Sequence, residues 1–182
     1  MKHDVVVVLA VLGVAGQVLA AALAVAGVLT LVGVAGPLRF VRELCWGYEL
    51  WLVFAVAAVG TAGSLYLAEV AGYIPCELCW YQRICLYPLS ILALLPALAG
   101  DYRVSRYLLP LPIVGAGVAA YQLLIENGLV AQTQACLVSA PGGCATKWID
   151  EFGYVTIPTL ALTAFALATA FLLLAVFERR AE

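Results

Sequence analysis

The chain has 182 residues, of which 65% are apolar and 11% charged, and its net charge is −2. A charged share below half of the roughly one quarter usual in soluble domains excludes a water-facing globule of this size. With no basic patch to neutralise phosphates, nucleic acid is excluded as a partner. What remains is a single all-α domain embedded in a lipid bilayer.

The first apolar run goes from Val5 to about Ala35. It is longer than the roughly 7–15-residue core of a signal peptide and too short for two spans of about 20 residues each. It therefore predicts one long or tilted helix ending near Pro37. A linker follows, in which Leu38, Val41, Cys45 and Tyr48 recur at helical spacing, as in a segment lying flat on a membrane surface. Further runs at about Leu50–Gly72, Trp80–Ala99, Tyr107–Ile125 and Tyr154–Phe177 each read as a span. The longest polar interval, Glu126–Gly153, separates the last two. The expected organisation is an extra transmembrane helix at 1–36, a linker at 37–49, a four-helix membrane domain at 50–177 and a tail at 178–182.

Lys and Arg in short loops set orientation. Alternating spans put Arg39, Arg42, Arg103, Arg106, Arg179 and Arg180 on one side, against Lys2, Arg83 and Lys147 on the other. The richer side is expected in the cytoplasm, with the N-terminus outside and the C-terminus inside. Trp46, Tyr48 and Trp51 mark the inner interface, and Tyr73, Trp80, Tyr81, Trp148 and Tyr154 the outer one. Cys45 falls inside. Cys76, Cys79, Cys136 and Cys144 fall outside, where disulfides persist.

Cys76-Glu77-Leu78-Cys79 precedes the third run, and Cys79 is expected just before the helix begins. Unpaired N–H groups and the helix dipole favour a thiolate there. Arg83, one turn on, shares the face of Cys79; its guanidinium can support the thiolate or donate to an oxygen that gains charge. Tyr87 continues that face and Gln82 borders it. A redox pair, half of a four-thiolate zinc site with Cys136 and Cys144, and a static disulfide all fit this spacing, redox best. Trp80 occupies the position where haem attachment needs histidine. Alone, Arg83 would be a snorkelling interfacial arginine; its relation to Cys79 favours function. Cys136 and Cys144 flank Pro141-Gly142-Gly143, a turn that lets the sulfurs meet in an exposed loop. That pair either staples the loop or exchanges with a soluble partner and with the first pair. Cys85 reads as a core residue, Cys45 as a reduced thiol, Glu69 as a solvated interfacial carboxylate and His3 as unimportant.

The run Pro75-Cys-Glu-Leu-Cys-Trp-Tyr-Gln-Arg-Ile84, Tyr87-Pro88 after it, and Phe152-Gly-Tyr-Val-Thr-Ile-Pro-Thr159 resemble the disulfide bond formation protein B family (DsbB), most closely its short-looped BdbC-type members. The resemblance covers roughly residues 48–177. It implies a four-helix bundle in the cytoplasmic membrane, here with one extra N-terminal helix. It also implies a thiol:quinone oxidoreductase that reoxidises an extracytoplasmic thioredoxin-fold dithiol protein (DsbA-like). The acceptor would be a membrane quinone of the ubiquinone or menaquinone type, and no metal is expected. Carried over by position, Cys136 takes the mixed disulfide, Cys144 resolves toward Cys76, and Cys79 faces the quinone beside Arg83, with Gln82 and Tyr87 as further contacts. Vitamin K epoxide reductases are the near rival, but in them the loop pair precedes the Cys-x-x-Cys. A non-enzymatic scaffold with structural disulfides or zinc is the rival from another class.

Overall fold

A computed structural model describes residues 2–34 and 36–178. Arg179, Arg180 and the rest of the expected tail from 179 lie outside the described residues, as do Met1 and Ala35. The chain is helical almost throughout: α1 Lys2–Leu31, α2 Gly36–Cys45, α3 Glu49–Leu65, α4 Glu77–Ala99, α5 Ser105–Leu108, α6 Pro110–Glu126, α7 Gln134–Ser139 and α8 Ile157–Glu178. Among the described residues the only extended pairing is one bridge, Glu151 to Val155. Among the described residues, five helical segments are long and apolar enough to cross a membrane: His3–Leu31, Glu49–Val70, Glu77–Ala99, Tyr102–Glu126 and Ile157–Phe177. This is a polytopic all-α membrane protein. Lipid offers backbone groups no partner, so apolar runs of this length must bond within themselves.

The ends of the segments differ from the apolar runs where local chemistry intervenes. α1 stops at Leu31, short of the expected end near Pro37, because Gly33 turns left-handed (φ 93°) and Val34 N–H bonds back to the Leu29 carbonyl at 2.9 Å. α3 ends in a π-turn, Tyr66–Val70. The fourth span is composite, a 3₁₀ turn at Tyr102–Val104 followed by α5 and α6, with Pro110 at the start of α6, where its missing N–H costs least. The linker is the helix α2, with Leu38, Val41 and Cys45 turned toward the main core; Tyr48 stands beyond its end, exposed.

α3, α4, α6 and α8 pack around Leu50, Leu89, Phe165 and Leu172, all fully buried. Without a hydrophobic drive between helices in lipid, close packing against small residues holds them. Gly115 on α6 shows this: a Cβ there would overlap the ring of Phe165. The Tyr102 hydroxyl donates to the Gly47 carbonyl, which sets the 100–106 turn and the linker at one end of the bundle. Both cysteine pairs lie at the other end in one buried cluster, Cys76, Cys136 and Cys144 with Cys79 against them. His3 is 3.9 Å from Glu151, so α1 begins at the cysteine end.

Candidate functional site: two cysteine pairs and an apolar cavity

α4 starts at Glu77, earlier than the apolar run suggested, so Cys79 sits inside the first turn and not before it. Cys76 is the capping residue, extended at ψ 173°, and its sulfur accepts the backbone N–H of Cys79 at 3.4 Å. The two sulfurs are 2.8 Å apart, a thiol–sulfur hydrogen bond. Cys79 and burial push the Cys76 thiol well above the usual range, the hydrogen bond being the larger cause. Cys76 therefore keeps its proton and offers it to Cys79.

Gln122 of α6 joins this pair to the second. Its amide nitrogen is 3.4 Å from the Cys76 sulfur, 3.6 Å from that of Cys79 and 3.5 Å from the Cys144 carbonyl. Its oxygen accepts the side-chain N–H of Gln82 at 2.7 Å. Sequence reasoning missed Gln122; the signal was available as a polar amide inside the apolar run Tyr107–Ile125. Beside it, Glu126 accepts from the Thr156 hydroxyl at 2.8 Å.

Cys136 and Cys144 form a disulfide. The loop was expected to expose this pair, yet both cysteines are completely buried; only Pro141 and Gly142 of the turn face outward. The reason is local. Gly142 and Gly143 both take left-handed φ (79° and 71°), folding the turn back so that Gln132 accepts the N–H of Cys144 at 2.8 Å. On the other side the Thr133 hydroxyl caps α7 at Cys136 N–H (3.2 Å). Ser139 accepts from Glu77 N–H at 3.1 Å, tying α7 to the start of α4. The disulfide also takes two sulfurs from any four-thiolate metal site. Among the described residues, no group of three or more His, Cys, Asp or Glu is placed to hold a metal ion.

A cavity of about 370 Å³ opens beside Cys79, lined chiefly by aliphatic side chains and bordered at its polar end by Cys79, Gln82 and Arg83. That is the size range of small-molecule sites, apolar with a few convergent polar groups. Arg83 Nε donates to the Ser64 hydroxyl (3.0 Å) and its terminal nitrogen to the Ser64 carbonyl (3.2 Å). The guanidinium also lies 5.1 Å from the Trp80 ring. The arginine is thus held in place rather than left free to snorkel. Tyr87 does not line the cavity; its hydroxyl meets Ser64 at 3.3 Å, one step behind Arg83. Cys85 is buried in the main core, as expected, and Glu69 is exposed near the end of its span.

The family model for disulfide bond formation protein DsbB matches residues 47–175. The chain belongs to the DsbB family. The match begins just before α3 and takes in both cysteine pairs, the cavity's polar end and α8, leaving α1 and α2 outside. Among curated relatives, "Disulfide bond formation protein C" of Bacillus subtilis is 39% identical over 130 residues, 69% of this chain and 90% of that one. A "Probable disulfide formation protein" of Deinococcus radiodurans is 42% identical over 131 residues, 68% of this chain and 86% of its own. One of the same description from Metapseudomonas resinovorans is 37% identical, covering 72% of this chain and 90% of its own. No solved structure matches the chain. Membership of the DsbB family gives this membrane protein a thiol–disulfide oxidoreductase role.

Proposed function

We propose that the protein is a membrane thiol:quinone oxidoreductase that reoxidises an extracytoplasmic thioredoxin-fold dithiol protein of the DsbA type. The observation that carries the reading is Gln122, which touches both sulfurs of the Cys-x-x-Cys and the backbone of the loop disulfide at once. Two cysteine pairs in one buried cluster, beside an apolar cavity that ends at an arginine, suit transfer from a protein dithiol to a lipid-soluble acceptor.

Electrons pass by exchange. A thiolate of the reduced partner attacks the Cys136–Cys144 disulfide at Cys136 and forms a mixed disulfide, with Cys144 leaving as thiolate. The partner's second thiol resolves the mixed disulfide, so the partner is oxidised and Cys136 and Cys144 are reduced by two electrons. Cys144 then attacks Cys76 of an oxidised Cys76–Cys79 pair, and Cys136 closes back on Cys144. That leaves Cys76 and Cys79 reduced, the state in which their sulfurs stand 2.8 Å apart.

The aliphatic walls and polar mouth of the cavity fit a quinone. Cys79, Gln82 and Arg83 would hold its ring, with Tyr87 steadying Arg83 through Ser64. A bound quinone supplies a sink for two electrons and two protons. Arg83 contributes fixed positive charge and donors in a dry site, where they act most strongly on developing negative charge. Cys76 holds a proton next to Cys79, poised to leave as the disulfide re-forms.

The Arg39, Arg42, Arg103 and Arg106 end of the bundle would face the cytoplasm, and the cysteine end the oxidising exterior. The bundle from 50 to 177 is the proposed catalytic unit, with the N-terminal helix added to it. The test is reoxidation of a reduced thioredoxin-fold dithiol protein by purified protein, with and without added quinone. Turnover that depends on quinone is expected; oxidation at the same rate without it would remove the acceptor from the reading.

A further inference from the structure

α1 lies wholly outside the family match, yet it is built into the cavity. It runs along α8 in the same direction, Gly13 beside Leu160 and Gly16 beside Thr163. The approach is close: a Cβ on Gly13 would overlap the Leu160 side chain, and one on Gly16 would lie 3.0 Å from Thr163 and 3.3 Å from Leu167. On its other flank Leu9 reaches α3, 3.2 Å from where a Cβ on Gly63 would stand. Small residues on α1 thus meet bulky ones on α8, and a leucine on α1 meets a glycine on α3. Such complementarity is what fixes helix pairs in lipid. α1 therefore bridges α3 and α8, and Leu9, Leu12, Gly13 and Gly16 line the same cavity as Cys79 and Arg83.

We propose that α1 is a wall of the acceptor site and that its segment 9–16 governs how the protein holds the apolar tail of its acceptor. The inference rests on the quinone reading above. Cys79 and Arg83 form the polar end, while Gly16 and Leu167 line the cavity further along the bundle, where an isoprenoid tail would lie. Leu9 and Leu12 give that tail aliphatic contact that α3 and α8 alone would leave to lipid. A ring without a tail makes little use of this wall.

The test uses the full chain, a reduced thioredoxin-fold dithiol protein, and two acceptors: decylubiquinone and the tail-less ubiquinone ring. In the Leu9→Ala/Leu12→Ala double variant, which removes side chains without creating a clash, KM for decylubiquinone should rise about tenfold. KM for the tail-less ring and for the dithiol protein should stay within about twofold, a difference under half a kcal/mol. Unchanged KM for decylubiquinone overturns the wall while leaving the quinone reading intact, since the unaltered protein still turns over. Loss of quinone turnover in the unaltered protein itself overturns both. Independently of any variant, a quinone with a photoreactive tail should label α1 within residues 9–16 of the unaltered chain; labelling confined to α3, α4 and α8 overturns the proposal.

Discussion

Gln122 donates to the sulfur of Cys76 across 3.4 Å, from a helix forty-six residues further along the chain. Its oxygen is committed to Gln82, so its amide points at sulfur by necessity. Gln122→Ala removes this bridge and leaves the Gln82 amide buried without a partner. The fold should lose about 1–3 kcal/mol, the cost of one buried unsatisfied group. Exchange between the two cysteine pairs should slow more than exchange with the partner. Thermal unfolding and rapid-quench trapping of the four thiols measure both; a variant of unchanged stability and inter-pair rate would count against the bridge.

Arg83 is oriented by Ser64 through two hydrogen bonds. Arg83→Met should weaken quinone use about tenfold or more, on the scale of one lost charge-assisted donor. Insertion should be unaffected. Ser64→Ala should give a milder form of the same defect, because the guanidinium stays but is no longer aimed. Steady-state kinetics against quinone concentration decide it: equal effects of the two substitutions would mean that Arg83 is important only through its position.

Cys144→Ser leaves Cys136 a free thiol. Mixed with the oxidised partner, Cys136 should attack the partner's disulfide and accumulate as a mixed disulfide, one partner sulfur leaving as thiolate, because the Cys144 thiol that would release the partner by re-forming the loop disulfide is gone. Cys79→Ser should leave partner exchange at the loop intact and stop quinone reduction. Non-reducing gels with the purified partner show which sulfur is trapped. A partner held on Cys76, with Cys136 dispensable for turnover, would make the loop disulfide a staple.

The Cys76 thiol is pushed up by Cys79 and by burial. A raised thiol holds its proton more firmly in the folded chain than in the unfolded one, so this contribution to stability is complete below the ordinary thiol value of about 8.5 and is lost as pH rises above it. With the loop disulfide intact, alkylation of Cys76 should stay slow through neutral pH and accelerate only above that range. Mass-spectrometric rates for Cys76 as a function of pH test this; a Cys76 that reacts like a free thiol at pH 7 would contradict the hydrogen bond to Cys79.

A membrane-impermeant thiol reagent applied to intact, reduced cells should reach the cysteine end and spare Cys45, which becomes labelled only after permeabilisation. The Tyr102–Gly47 contact places Cys45 near the opposite end of the bundle. Labelling of Cys45 alone in intact cells would invert the proposed orientation.

Much of this protein is legible without coordinates, because the bilayer leaves few options. Apolar runs such as Tyr154–Phe177 must become helices in lipid, and the Cys-x-x-Cys with Arg83 one turn on is a local pattern that any helix starting there preserves. Spans, element type, shared ends and the family resemblance all follow from such short-range rules. α4 starts before its apolar run for the same reason: apolarity marks where a helix enters the membrane, whereas capping by Cys76 marks where it begins.

Relationships between distant segments were decided only by the tertiary fold. The two left-handed glycines, 142 and 143, with Gln132 receiving the Cys144 N–H, bury a disulfide that polar sequence had suggested was exposed. Gln122, Ser64 and Ser139 gained their roles from partners on other helices. α1, whose sequence from Val5 on is almost wholly apolar and carries no motif, lines the cavity because its glycines let it lie close against α8. Hydropathy records transfer from water to lipid and is nearly blind to which apolar helix packs on which; that choice is made by side-chain shape, which appears only when the helices are brought together.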